Sequence, residues 1–99
     1  MIRGTTPTLE FTLPFDCSLI SCGYITFAQE KDIKIEKTFD ECEKSGSKLI
    51  VKLSQEDTLK LSDSAQTEIQ IRAKTHAGEA LASQIFRVTT ERILKDGVI

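Results

Sequence analysis

The sequence predicts an all-β chain folded as an antiparallel sandwich, and three observations carry that expectation. From Thr67 to Thr75 the chain alternates strictly: Thr67, Ile69, Ile71, Ala73 and Thr75 fall on one face, with Glu68, Gln70, Arg72 and Lys74 on the other. A period of two marks a strand with one buried and one wet face. Further short runs rich in apolar and β-branched residues recur along the chain, separated by polar turns. No apolar stripe of helical period extends beyond a single turn.

Taken in order, Arg3 to Thr8 is an irregular lead-in, and Pro7 lacks a ladder donor, so the first strand starts just after it. Leu9, Phe11 and Leu13 alternate with Thr8, Glu10 and Thr12 until Pro14 stops the run. Phe15 to Ser21 is too short for a helix; Asp16 and Ser18 can cap one turn there, with Leu19 and Ile20 pointing inward. Gly23 to Gln29 reads as a strand with Ile25 and Phe27 inside and Tyr24 outside. Gln29 to Asp32 reverses the chain, and Ile33 to Thr38 returns with Ile33 and Ile35 inside, although no Asn-Gly pair sets the register. Phe39 to Ser47 reads as an acidic, Gly-containing loop, and Lys48 to Leu53 as a strand with Leu49, Val51 and Leu53 on one face.

Ser54 and Asp57 have the spacing of a capping box, which predicts one helical or 3-10 turn crossing from one sheet to the other. Ser62 to Gln66 follows as a polar loop. The chain then enters the hairpin from Thr67 to Thr90. His76, Ala77 and Gly78 form its turn, because Gly78 is best able to take a positive φ. That loop pairs Thr75 with Glu79, Ala73 with Leu81, Ile71 with Ser83 and Ile69 with Ile85. Phe86 and Val88 are then out of phase with Leu81 and Ile85, so a β-bulge near Ile85-Phe86 is expected to turn them inward; a four-residue loop would put them in phase directly, at the expense of Leu81, and is the less favoured alternative. The core comprises Leu9, Phe11, Leu13, Ile25, Phe27, Ile33, Ile35, Leu49, Val51, Leu53, Ile69, Ile71, Phe86 and Val88. The expected architecture is an antiparallel immunoglobulin-like β-sandwich of six to seven strands with at most one short helical or 3-10 turn. The paired Cys and Trp of antibody domains are absent, since the chain has no Trp.

The 99 residues are expected to form a single domain, 1–99, ending in an apolar tail at 91–99. Hydrophobic content of 39% with 28% charged residues is ordinary for a soluble globular protein. A net charge of −2, with lysines interleaved among acids, argues against nucleic acid as a partner. Apolar runs of three residues such as Leu49-Ile50-Val51 are far short of the about 20 that a membrane span requires.

Several side chains invite chemical readings. Cys17, Cys22, Cys42 and His76 are the only soft metal ligands, but they lack the close pairs typical of zinc sites. Free, mostly buried thiols in a reducing compartment fit the odd count better. Asp40, Glu41 and Glu43 fit a solvated edge better than a cation loop, and capping accounts for Glu56 and Asp57. His76 has no acid or Cys beside it and reads as a solvated turn residue. No nucleophile elbow or phosphate loop is visible, so no catalytic residue, cofactor site or metal site is expected, and the chain does not read as an enzyme.

The TLEFTL strand, the KLIVKLSQEDTLKL segment, the EIQIRAKTHAGEALASQIFRV hairpin and the hydrophobic ending together resemble the N-terminal immunoglobulin-like domain of phage baseplate upper proteins. The RGTTPT lead is also similar to that of small uncharacterised prophage proteins of Gram-positive bacteria. The resemblance spans most of the chain as a loose pattern without an invariant site. In baseplate upper proteins, further regions that carry receptor-binding proteins follow this domain, whereas here residue 99 is the last. The resemblance implies a non-enzymatic structural or assembly module of a phage or prophage tail or baseplate. Such a module would be made in the bacterial cytoplasm without a signal peptide and destined for the virion, with other subunits, copies of itself or phage structural proteins as partners. The expected partner contacts are Ile93, Leu94, Val98 and Ile99, which need cover. The alternative is a stand-alone binding domain for carbohydrate or peptide, with Tyr24 the one residue suited to a sugar platform.

Overall fold

The computed structural model describes residues 1–99. Eight strands form: β1 (Thr8–Thr12), β2 (Ile20–Gln29), β3 (Asp32–Thr38), β4 (Glu43–Ser45), β5 (Lys48–Lys52), β6 (Gln66–Thr75), β7 (Ala80–Ala82) and β8 (Phe86–Thr89). One sheet runs β1-β5-β4; the other runs β3-β2-β6, with β7 and β8 both on the far side of β6. Every ladder is antiparallel. In the lettering of immunoglobulin domains this order is B-E-D facing C′-C-F-G, so the sandwich lacks only a separate first strand. The inward residues Leu49 and Val51 of β5 share one core with Ile25 and Phe27 of β2 and Ile69 and Ile71 of β6, all nearly inaccessible. Leu9, Phe11, Phe86 and Val88 pack against it part-buried, and the Phe11 and Phe86 rings meet across the sheets at 5.5 Å.

The hairpin follows the expected register through Ile71. Thr75 N–H donates to the Glu79 carbonyl at 2.8 Å, Ala73 pairs with Leu81, and Ser83 N–H donates to the Ile71 carbonyl. Gly78 takes φ +92°. Ile69 then pairs with Phe86, one residue on from the undisturbed register. The bulge has a visible chemical cause: the Ser83 hydroxyl accepts from the Ile71 N–H at 3.0 Å, and the Gln70 amide donates to the Ser83 carbonyl at 3.1 Å. Ile85 turns out and Phe86 turns in.

Other expectations need correction. Ile33 is 63% exposed and outside the core. Phe27 pairs with Ile35 but Ala28 with Ile33, so Lys34 is an extra residue that flips Ile33 outward. The two-residue turn sets that register: Glu30 and Lys31 both have positive φ (50° and 71°), the signature of a type I′ turn normally made by Asn-Gly. Leu19 likewise faces out, at 54% exposed, beside the 3-10 turn Cys17–Leu19 that Asp16 caps. The segment from Phe39 to Ser47 is not a simple loop. It holds a second 3-10 turn, Phe39–Glu41, and then β4. Phe39 is buried because its ring packs against Gly23, where a Cβ would come within 2.7 Å of it. There are thus three short helical segments, the third being α1 (Gln55–Leu59), started by the expected box: Asp57 N–H donates to the Ser54 hydroxyl and Ser54 N–H to the Asp57 carboxylate.

Gln29, at the end of β2, is only 2% exposed. Its amide donates to the carbonyls of Ser62 and Ala65 and to the Thr67 hydroxyl, and accepts from the Ser62 N–H at 2.7 Å. Thr67 in turn bonds the buried Thr90 hydroxyl at 2.9 Å.

Two stability predictions follow from these turns and clamps. Gln29→Ala strands several buried polar groups at once and is expected to cost about 3 kcal/mol in urea unfolding; a loss within experimental error would show that the 62–67 crossing does not need the amide. The double change Glu30→Asn/Lys31→Gly relieves left-handed strain and is expected to raise stability by about 1 kcal/mol, read as a higher thermal midpoint.

Candidate interaction surfaces

The outer face of the larger sheet is built by the alternation of its strands. Inward Gly23, Ile25 and Phe27 on β2 leave Cys22, Tyr24 and Thr26 outside; on β6, Ile71 and Ala73 leave Arg72 and Lys74 outside. Register places Arg72 beside Tyr24 and Lys74 beside Cys22, with Glu36 of β3 beside Thr26 on the other flank. Together with Ile33 these residues line a shallow groove of about 500 Å³. Tyr24 is 46% exposed at its centre. The sequence marks Tyr24 as outward but hides Ile33, because nothing in residues 29 to 34 signals the bulge.

The C-terminal tail is anchored. Met1 and Glu91 exchange contacts with Thr89 and Arg3 through the backbone, and Ile2 bridges Glu91 in parallel. Ile93 is half-buried and closes, with Leu59, on Gly4. Ile99 exchanges two hydrogen bonds with the Gln55 side chain, and Arg3 pairs with Asp96 at 3.6 Å. Between these anchors the apolar side chains stay bare: Leu94 is 92% exposed, Val98 55% and Ile99 89%. Of the four expected contact residues, Ile93 is therefore held inside the chain and the other three face outward.

The chemical candidates fall apart spatially. No three His, Cys, Asp or Glu side chains stand together as a metal set. Cys17 and Cys42 are buried and Cys22 exposed, all free. Burial, aided by the neighbouring Asp16 carboxylate for Cys17 and Glu41 for Cys42, pushes both thiols up, so they stay protonated and weakly nucleophilic at neutral pH. His76 is an exposed turn residue whose N–H bonds the Leu19 carbonyl. Glu41 binds the Thr38 N–H and hydroxyl, and Asp40 and Glu43 are exposed.

Asp57 has a second role beyond its cap. Lys37 of β3 reaches it at 3.0 Å, tying α1 to the edge of the larger sheet. Burial pushes its carboxyl up, but the Ser54 N–H and the Lys37 ammonium outweigh that and hold it below the ordinary aspartate range.

Against family models, curated proteins and solved structures, the chain finds no match. No helix is long and apolar enough to cross a membrane.

A carboxylate held below its unfolded value stabilises the fold above the unfolded pKa, and that share is lost as pH falls through the folded pKa. Acid titration of unfolding free energy should therefore show wild type losing more stability than Asp57→Asn as pH drops through and below the ordinary aspartate range. Parallel curves would exclude Asp57 as a source of acid sensitivity.

Proposed function

We propose that this chain is a non-enzymatic structural or assembly module, acting through protein–protein contacts, of the kind found in phage or prophage tails and baseplates. The observation that carries the reading is the tail. A segment tethered at Glu91, Asp96 and Ile99 holds Leu94, Val98 and Ile99 out in solvent, where exposed apolar area is unfavourable until a partner covers it. Flexible ends also expose apolar residues, but this one returns to the body of the domain through the Arg3 and Gln55 side chains, which keeps Leu94, Val98 and Ile99 near one another on its surface. The resemblance of the strand pattern to the first domain of baseplate upper proteins supports the phage setting.

The triple change Leu94→Ser/Val98→Ser/Ile99→Ser keeps the backbone anchors and is expected to shift stability by no more than about 0.5 kcal/mol. Affinity purification from phage-producing cells, read by mass spectrometry, should retrieve tail or baseplate subunits with the wild type and lose them with the triple variant. Equal recovery by both proteins would overturn the role of the tail, and recovery of metabolic enzymes alone would overturn the phage setting.

A further inference from the structure

The outer face of the larger sheet and its border carry charges that take part in no ion pair within the chain. None of the six ion pairs uses Arg72, Lys74, Glu36 or Asp40, and all four are exposed. Their placement is ordered. Taking β2 as a centre line, Cys22 and Tyr24 point outward along it; Arg72 and Lys74 stand one strand to one side, level with Tyr24 and Cys22. Glu36 stands one strand to the other side, level with Thr26. Asp40 follows β3 toward the Cys22 end, where it lines a depression shared with Cys22, Tyr24 and Lys44, whose ammonium donates to the Phe39 carbonyl at 2.9 Å.

A half-turn about an axis running along β2, just above this face, lays the acidic flank of one copy on the basic flank of another. Arg72 and Lys74 then meet the Glu36 and Asp40 side of the second molecule twice, once on each side of the axis, as an isologous contact requires. The same rotation brings Tyr24 onto its own counterpart and covers Ile33, the most exposed apolar residue of this sheet. Flat sheet faces stack in this way at about 10 Å, close enough for long charged side chains to bridge. We infer that the outer face of the β3-β2-β6 sheet is a self-complementary surface on which a second copy of this chain docks, with its two-fold axis along β2. The inference rests on the reading of the chain as a protein-contact module and names one of its partners.

Light scattering over a concentration series into the millimolar range reads the test directly. The wild type should pass from monomer to dimer. Arg72→Glu/Lys74→Glu gives two acidic flanks, and Glu36→Lys/Asp40→Lys gives two basic ones. Each variant alone should dimerise at least about tenfold more weakly, while an equimolar mixture should recover a one-to-one dimer, because both contacts are then restored. Recovery on mixing also shows that neither variant is misfolded. Because Cys22 is the one exposed thiol and lies near the axis, a short bismaleimide should trap the wild-type dimer and fail with Cys22→Ser. A wild type that stays monomeric overturns the inference, as does a dimer indifferent to both charge reversals or a mixture that fails to pair. In those cases the assembly role stands or falls separately on the tail substitution.

Discussion

One buried amide ties the crossing between the two sheets to the larger of them. The chain must leave β5, turn through α1 and cross above the core to begin β6, and a segment that crosses there brings backbone polar groups inward with no ladder to satisfy them. Gln29 supplies what they need, because an amide carries donors and an acceptor on one planar group. It bonds Ser62 in both senses, Ala65 and Thr67, and Thr67 hands the network on to Thr90 at the end of the last strand. Ends of β2, β6 and β8 are thereby stitched by side chains where pairing alone would fray. No buried side-chain nitrogen or oxygen is left without a partner, the condition under which a polar core network adds rigidity instead of strain.

The other end of β2 is closed by the opposite chemistry. Gly23 has no side chain, so the Phe39 ring can lie directly on the backbone and plug the space between sheets. A strand with an amide clamp at one end and an aromatic plug at the other has little freedom to slide, and β2 is the strand against which both β3 and β6 are set. The ion pairs at the surface do less. Lys48 with Glu10, Lys52 with Glu43 and Arg87 with Glu68 all have both partners substantially exposed, where solvent and side-chain entropy cancel most of the attraction. Lys37 with Asp57 is the exception, being mostly covered.

Period-two patterns are legible in sequence because burial on one face forces them, and so the strands of Leu9, Ile25, Leu49 and Ile69 stand where alternation places them. The hairpin bulge was legible for the same reason: once Gly78 closes a three-residue turn, Phe86 and Val88 fall out of phase with Leu81, and an extra residue reconciles them. The bulge at Lys34 left no such trace, since Ile33 and Ile35 alternate as well as any inward pair. What decided it was a positive-φ turn made by Glu30 and Lys31, residues that do not advertise that conformation. Gln29 was hidden for a related reason. A glutamine beside Glu-Lys-Asp looks like solvent, and its burial depends on a loop more than thirty residues away. The surfaces proposed for contact were half legible. Apolar residues in the last nine positions stood out, but the acidic and basic flanks around Tyr24 belong to strands far apart in the chain, and only the fold sets them side by side.

How such a domain can meet other proteins is constrained by its edges. Strand addition needs a long, straight, unpaired edge. β1 has five residues shut between Pro7 and Pro14, β4 has three, and β3 is kinked at Lys34. On the remaining side the bulge breaks the strand into β7 and β8, with four residues in the longer piece. The seam between β1 and β8, where Leu9, Phe11, Phe86 and Val88 line a groove of about 520 Å³, is therefore flanked by two short edges. Its end is further occupied by the chain's own first residues, which run alongside Glu91 and send the Arg3 guanidinium onto the Leu59 and Leu61 carbonyls at the end of α1. With every edge blunted, the surfaces left for association are those that need no backbone pairing. They are the outer face of the larger sheet and the tethered tail, the two surfaces on which the proposed contacts would rest on side-chain charge and apolar area.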